Sequence, residues 1–443
     1  MMHYLDNLIF LLVLSAGVGY FAYHLRKTIR NIKLGRPYPI NDRKKERWRN
    51  MLLKAFGQKK MFKRPIPALL HLAVYLGFII INIEVIEIII DGLFGTHRVL
   101  HFMGGFYNFL IASFEILALL VIVAVTVFWI RRNVIKLWRF NMPEMEGWPK
   151  KDANIILYFE FILMSAFLTM NAADYKLQLL KYGHYYFKEG IVGSFPVSRF
   201  LLHILPDDPH ALVAIERSMW WLHIVGILVF LNYLYISKHY HILLAFPNTY
   251  YAKLPPLAKF DVLESVKKQV ELMMDPNADP YAMPDEEEEE PERFGAKDIF
   301  DLKWINILNA YTCTECGRCS DVCPANKTGK KLSPRKIMMD VRDRTEEVGR
   351  IIDANNGQWK DDGKSLLDYI SREEIWACTT CNACVEECPV ENNPLDVIIQ
   401  LRQYLVMEES AAPAELNLMF TNIENNGAPW QYSQADRLAW AEE

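Results

Sequence analysis

Five apolar stretches dominate the first 250 residues of the chain, and each is long enough to cross a lipid bilayer. A membrane span needs roughly 20 predominantly apolar residues with few charges. One such stretch is often a buried core helix, but five in succession favour a membrane bundle. The sequence therefore predicts an all-α protein that begins with a five-span transmembrane helical bundle. The stretches lie near residues 4–24, 67–90, 106–130, 154–173 and 217–237.

The remainder of the chain is polar, and an acidic segment separates it from the bundle. Residues 285–290 are one aspartate followed by five glutamates, with a proline on each side. Such a run repels itself and is typical of an extended tether, although an acidic docking site is the alternative. We therefore expect three parts: a bundle at 1–250, an acidic linker at 251–294 and a second domain at 295–443. The net charge of −4 conceals this division.

Basic residues are distributed unequally between the predicted loops. Residues 26–64 contain fifteen lysines and arginines and residues 131–151 contain six, whereas residues 91–105 contain only Arg98. The positive-inside rule places the first two loops in the cytoplasm. This predicts a multi-pass protein of the inner (cytoplasmic) membrane, with its N-terminus outside and its second domain in the cytoplasm.

All eight cysteines lie in two runs with identical spacing, each of which ends in Cys-Pro. Three thiolates at i, i+3 and i+6 suit one cubane cluster, and in two-cluster modules of this spacing the fourth cysteine binds the other cluster. We therefore expect two 4Fe-4S clusters. The first ligand set is Cys313, Cys316, Cys319 and Cys388, and the second is Cys378, Cys381, Cys384 and Cys323.

Two zinc sites, structural thiols and a disulfide framework are the alternatives for these cysteines. Zinc motifs usually pair C-x2-C with a longer gap, rather than three closely spaced cysteines and a Cys-Pro. Thiolate clusters also assemble in a reducing compartment, which agrees with the predicted cytoplasmic side.

Histidines in the bundle are candidate axial ligands of haem. On one continuous helix His223 and His241 would point the same way, about 27 Å apart along the axis. His239 falls about 160° from His223 around that helix and is ranked lower. His71 lies one turn into the second stretch, at the same depth in the membrane as His241. We expect His71 and His241 to hold one haem on the cytoplasmic side.

A second haem would need an opposing ligand for His223 near the outer surface. His97 and His101, in the loop after the second stretch, are the candidates, and a single-haem protein is the alternative.

The second apolar stretch also carries acidic residues: Glu84, Glu87 and Asp91, at its outer end, share one helical face. Carboxylates inside a membrane are costly and often mark proton paths or quinone sites, unless they reach the interface.

The membrane half resembles the cytochrome b (gamma) subunit of respiratory nitrate reductase. The residues that carry this resemblance run from Trp220 to His223, from Ser237 to His241, and include Asn248. The resemblance implies haem b and a quinone as mobile substrate. In that family a second ligand lies ten residues after the equivalent of His71, and here the position is Ile81.

The second half resembles the helical ferredoxin domain of heterodisulfide reductase and related quinone-linked oxidoreductases. The long insert at 325–377 between the cysteine runs contains helical patterns, as in that family. Residues 419–430 resemble the stretch that leads into a cysteine-rich CCG domain in fused members. The resemblance implies a partner-docking C-terminal tail and a separate CCG-domain or flavin-containing subunit.

These patterns predict the electron-transfer subunit of a membrane-bound oxidoreductase. The chain has no P-loop, dinucleotide fingerprint or nucleophile elbow, so flavin or substrate chemistry is expected on a partner, and no nucleic-acid partner is expected. Electrons would pass between a cytoplasmic partner, the clusters, one or two haem b groups and menaquinone or ubiquinone. The alternatives are a membrane-bound redox sensor or scaffold without haem and a subunit of a thiol or sulfur reductase.

Overall fold

The chain folds into a five-helix bundle and an iron–sulfur domain that packs on one end of it. The computed structural model describes residues 2–188, 190–276 and 293–442. Within these ranges the chain is α-helical without a β-strand, and Arg36 and Lys303 form an isolated bridge. The predicted fold class is confirmed. The acidic run at 285–290 lies outside the described residues.

Five long helices form the bundle, and a short helix lies in the first loop. Each long helix is apolar enough to span a bilayer, which confirms the five predicted spans. Consecutive long helices from the second onwards pack side by side, and the first closes the ring against the second and fifth. In chain order the helices are α1 (Met2–Ile32), α2 (Lys44–Met51), α3 (Pro65–Phe94), α4 (Gly105–Asn133), α5 (Trp148–Leu179) and α6 (Pro209–Tyr233).

The fifth span does not continue through the last two histidines. It begins at Pro209, where the Asp208 side chain accepts a hydrogen bond from the Ala211 amide over 2.8 Å. A 3-10 turn follows at Leu234–Ile236, and Ser237 is extended, with φ of −115° and ψ of 150°. A second 3-10 turn, Lys238–Tyr240, leads into α7 (His241–Tyr251). The prediction of one continuous helix through His223 and His241 is therefore wrong.

The remaining helices belong to the connection and to the iron–sulfur domain. They are α8 (Glu264–Met274), α9 (Trp304–Thr312), α10 (Arg318–Val322), α11 (Pro324–Lys327), α12 (Pro334–Ala354), α13 (Arg372–Trp376), α14 (Ala383–Glu387), α15 (Pro394–Met407) and α16 (Ala414–Asn426). Ile32, Leu234 and Leu244, from the end of the bundle, join the same buried apolar core as Ile307 and Val341 of this domain. The two halves therefore share one core, which fixes the domain against the bundle.

The basic first loop contacts the iron–sulfur domain rather than solvent alone. Lys54 and Lys60 both form ion pairs with Glu391, and the Lys60 pair measures 3.3 Å. Arg64 contacts Asp321 at 2.5 Å and Glu387 at 3.2 Å. The domain thus occupies the end of the bundle that carries the basic loops.

Part of the segment between the two halves also packs on this domain. Leu257 contacts the apolar cluster that contains Cys384 and Leu395. Asp261 forms an ion pair with Lys303 and accepts a hydrogen bond from the Tyr38 hydroxyl at 3.0 Å. Residues 257–261 therefore add to the contact between the first loop and the domain.

Candidate functional site

Two neighbouring cavities in the iron–sulfur domain collect all eight cysteines. The cavities follow the exchange of last cysteines that the spacing predicts: Cys388 joins the first run and Cys323 joins the second. Cys384 lines both cavities and stands between them. The first cavity is lined by Cys313, Cys316, Cys319 and Cys388, and the second by Cys323, Cys378, Cys381 and Cys384.

The loops that carry the two runs repeat the same backbone conformation. Glu315 and Thr380, before the second cysteine of each run, have φ of 51° and 56°. Gly317 and Asn382, after that cysteine, have φ of 71° and 61°. Glycine and asparagine tolerate this left-handed region better than other residues. A Cβ at Gly317 would also lie 2.5 Å from Arg335 Nη1, so a side chain there would displace this guanidinium.

Backbone amides donate hydrogen bonds to two of the thiols, and burial raises the pKa of others. The Asn392 amide donates to Cys388 Sγ over 3.2 Å, and the Thr380 amide donates to Cys378 Sγ over 3.4 Å. Burial raises the pKa of Cys313 to about 11 and that of Cys388 to about 12. Thiolates in such a place need a bound cation, and amide–sulfur hydrogen bonds stabilise the negative charge of a cluster. The donor set fits two 4Fe-4S clusters.

Glu315 connects the first cysteine loop to the membrane bundle. Its carboxylate forms ion pairs with Lys238, just after the fifth span, and with Arg342 at 2.7 Å. Burial alone would raise the pKa of Glu315, but Lys238 and Arg342 lower it to about 2. The group is therefore ionised at neutral pH, and the ion pairs hold the loop against the bundle.

His71 and His241 face one another where the bundle meets the iron–sulfur domain. Their ring centroids are 6.4 Å apart. Two imidazoles that bind one metal from opposite sides have centroids roughly 6 to 6.5 Å apart, given metal–nitrogen distances near 2 Å. The His239 ring lies 5.4 Å from that of His241 and 5.2 Å from that of Phe230. The spacing of His71 and His241 fits a shared haem iron.

His71, His241 and His223 are each oriented by a hydrogen bond from Nδ1. His71 donates to Gln58 Oε1 at 3.1 Å, His241 to the Lys238 carbonyl at 3.0 Å, and His223 to the Leu163 carbonyl at 3.0 Å. A proton on Nδ1 leaves the Nε2 lone pair for a metal. Burial is the main reason that the pKa of His241 is lowered, so its imidazole is neutral at pH 7, as a ligand must be.

The structure does not bring His223 together with His97 or His101. His223 lies near the middle of α6, about 20 Å from its first residue, because this helix begins earlier than predicted. Its ring contacts Phe167, at 5.8 Å. The His97 ring contacts the rings of His184, Tyr185 and Phe187. His101, which is exposed, contacts Phe187. The second pair expected near the outer surface is therefore not formed among the described residues.

Helix α7 spans the distance between the histidine pair and the first cysteine cavity. Asn248 lies about 10 Å along the helix from His241. Its Nδ2 donates to the Val390 carbonyl at 2.7 Å and to Asn392 Oδ1 at 2.9 Å, and both residues line the first cavity. The first cavity is thus the one beside the bundle, whereas Cys381 in the second is exposed.

Sequence reasoning missed several residues that position these groups. Gln58 orients His71, Lys238 orients His241 and holds Glu315, and Arg335 lines the first cavity. The Arg335 side chain is fully buried and paired with Glu144 at 2.7 Å. Lys238 stands beside His239 and three residues before His241, which was a visible signal, but the partners of the other residues are distant in sequence.

Comparison with known proteins supports an iron–sulfur protein. Residues 312–392 match the family model of a 4Fe-4S dicluster domain. That match does not include the bundle, so the resemblance of residues 1–250 to a cytochrome b subunit stays a prediction. No solved structure matches the chain at a significant level.

Three curated relatives are similar to the chain. It is 29% identical to the probable iron-sulfur-binding oxidoreductase FadF of Bacillus subtilis, over 99% of this chain and 61% of that protein. It is 26% identical to the EtfAB:quinone oxidoreductase of Syntrophomonas wolfei, over 91% of this chain and 55% of the relative. It is 31% identical to a probable membrane-anchored ferredoxin of Chromohalobacter salexigens, over 33% of this chain and 24% of the relative.

The chain therefore spans 61% and 55% of the length of the first two relatives. Its similarity to iron–sulfur oxidoreductases extends over nearly the whole chain, membrane helices included. These findings describe a membrane iron–sulfur protein with a role in electron transfer.

Proposed function

We propose that this chain is the membrane electron-transfer subunit of a quinone oxidoreductase complex. Electrons pass between a cytoplasmic partner, two 4Fe-4S clusters, haem b and menaquinone or ubiquinone. The observation that carries this proposal is that one short helix, α7, connects the His71–His241 pair to the first cysteine cavity. When bound, clusters and haem supply one-electron carriers, and the residues of this chain hold and orient them.

The cysteines and histidines would divide the binding of these groups among them. The exchanged cysteine sets would hold the clusters, and His71 and His241 would bind one haem through Nε2. The absence of a histidine opposite His223 in the described chain supports a single haem. Gln58 and Lys238 would fix the imidazole orientations, as outer-shell hydrogen bonds do in metal sites.

The partner would approach the side of the domain that faces away from the membrane. Cys381, in the second cavity, is exposed. The C-terminal tail displays exposed aromatic side chains, which include Trp430, Tyr432 and Trp440. Residues 419–430 resemble the stretch that leads into a CCG domain, and on that resemblance we propose a separate CCG-domain or flavin-containing subunit as the partner.

Quinone as the mobile substrate is supported by one relative, which is named as an EtfAB:quinone oxidoreductase. The cytoplasmic position of the iron–sulfur domain is supported by the basic loops at the same end of the bundle.

A reduced-minus-oxidised optical spectrum of the purified chain tests this proposal. We expect a b-type haem together with the broad absorbance of iron–sulfur clusters, and loss of the haem signal on addition of a soluble quinone. Clusters without haem in protein expressed with haem available would instead support a redox sensor or scaffold.

A further inference from the structure

A second group of buried polar residues lies at the end of the bundle opposite the iron–sulfur domain. Four carboxylates from three helices, Glu84 and Glu87 of α3, Glu115 of α4 and Asp174 of α5, are at most 3% exposed. A single buried guanidinium, that of Arg98 in the following loop, lies among them and forms an ion pair with Asp174. Full ionisation would leave several negative charges uncompensated inside the bundle, which is costly.

Three of these carboxylates have donors that stabilise the charged form or fix the oxygen atoms. Asp174 has Arg98. The other contacts are Glu87 with the Leu100 amide at 2.8 Å and the Tyr107 hydroxyl at 2.9 Å, and Glu115 with the Val197 and Ser198 amides at 2.9 and 3.1 Å. Glu115 is therefore a structural anchor of the loop after α5.

Glu84 is different, because its Oε2 is buried without a hydrogen-bond partner. The charged groups around it are Arg98, Glu87, Glu115 and Asp174. Three of these four are negative when ionised, and the one cation is already paired with Asp174. Glu84 is therefore the member of the group that can hold a proton at the lowest cost.

Titratable side chains lead from Asp174, one member of this group, to the surface. Asp174 Oδ1 lies 3.3 Å from His97 Nε2, and the His97 ring lies 5.3 Å from that of His184. His184 is exposed. Imidazole both accepts and donates protons near neutral pH, so histidines suit such a path.

We propose that Glu84 is a redox-linked proton-binding site that exchanges protons with the compartment opposite the iron–sulfur domain, through Asp174, His97 and His184. The carboxylate gains one proton when electrons enter the bundle and loses it when they leave. Reduction of a quinone consumes two electrons and two protons, so a proton supply is required in the membrane. The link to electron transfer rests on the proposed function, whereas the protonation of Glu84 does not.

Infrared difference spectroscopy of the full-length protein tests both parts. Spectra are triggered in one series by a change of pH and in another by reduction with dithionite. We expect a carbonyl band of a protonated carboxyl group in both series, lost in Glu84→Gln. The control is Glu160→Gln, which changes a carboxylate of α5 outside this group and should retain that band. A band that persists in Glu84→Gln overturns the site. A band that responds to pH but not to reduction, in protein with intact cluster and haem spectra, overturns the redox link alone.

The proposed proton path to Glu84 is tested by substitution of His97, which is partly exposed. We expect His97→Gln to slow hydrogen–deuterium exchange of the Glu84 carboxyl by at least about tenfold. His101→Gln, in the same loop, is the control and should leave the rate unchanged. Equal rates in His97→Gln and wild type would show that protons reach Glu84 by another way.

Discussion

His71 of α3 and His241 of α7 lie at one end of the bundle with their ring centroids 6.4 Å apart, and Nδ1 of each ring donates a hydrogen bond to an oxygen atom of the protein. This arrangement predicts a low-spin b-type haem with two imidazole ligands. We expect His71→Ala and His241→Ala to remove the same component of the reduced-minus-oxidised spectrum. His24→Ala is the matched control, because His24 stacks on Tyr235 at the same end of the bundle.

The other two histidines distinguish one haem from two. His223 lies near the middle of its span without a histidine opposite it in the described chain. We therefore expect His223→Ala and His239→Ala to leave the component that depends on His71. A separate spectral component lost in His223→Ala would contradict the single-haem account.

Because Cys323 and Cys388 are each expected to bind the cluster of the other cysteine run, substitution of either one predicts which cluster is damaged. Two clusters require about eight iron atoms per chain, by analysis of the purified protein. Cys323→Ser should damage the cluster of Cys378, Cys381 and Cys384, and Cys388→Ser the other, each seen as loss of one signal in electron paramagnetic resonance. Stoichiometric zinc with little iron, or loss of the same signal in both variants, would refute the assignment.

Lys238 is expected to set the potential of the first cluster without binding it. Its ammonium pairs with Glu315 in the cysteine loop, so Lys238→Met removes a positive charge and leaves a buried carboxylate with one cation fewer. Both changes disfavour an added electron, and we expect a lower midpoint potential, on the order of tens of millivolts. Lys238→Arg, which keeps the charge, is the control. An unchanged potential in Lys238→Met would show that the cluster does not lie beside this ion pair.

Orientation is tested with introduced thiols and a membrane-impermeant reagent on intact cells. Phe200 is exposed in the loop between α5 and α6, and Leu438 is exposed in the C-terminal tail. We expect Phe200→Cys to be labelled from outside and Leu438→Cys only after lysis. The reverse pattern would place the iron–sulfur domain outside and contradict the positive-inside argument.

The sequence predicted the parts whose signals are local. Apolar runs predicted the five spans. The spacing of the cysteines predicted two sets of four, and the two cavities gather these residues, whereas the ligand exchange itself stays a prediction. The depth of His223 was misjudged because Asp208 and Pro209 start α6 ahead of its most apolar stretch. The break after that helix was also missed, although the Ser237 hydroxyl accepts from the His239 amide at 3.1 Å, as a capping residue does.

Apolar periodicity and residue spacing did not predict the contacts between segments that are distant in sequence. The basic first loop satisfies a topology rule, yet Lys60 and Arg64 also pair with Glu391 and Asp321 of the iron–sulfur domain. Gln58 gains its role only because folding places it beside His71. Such pairings depend on tertiary packing, which neither periodicity nor composition encodes.

Re-oxidation of the clusters by quinone tests the central claim most directly. The purified chain is reduced, mixed with a soluble quinone and frozen at intervals, and cluster signals are followed in wild type and His71→Ala. We expect rapid cluster re-oxidation in wild type and a loss of at least about tenfold in rate in His71→Ala, since its clusters are intact but its haem is absent. Equal rates in the two proteins would contradict the account.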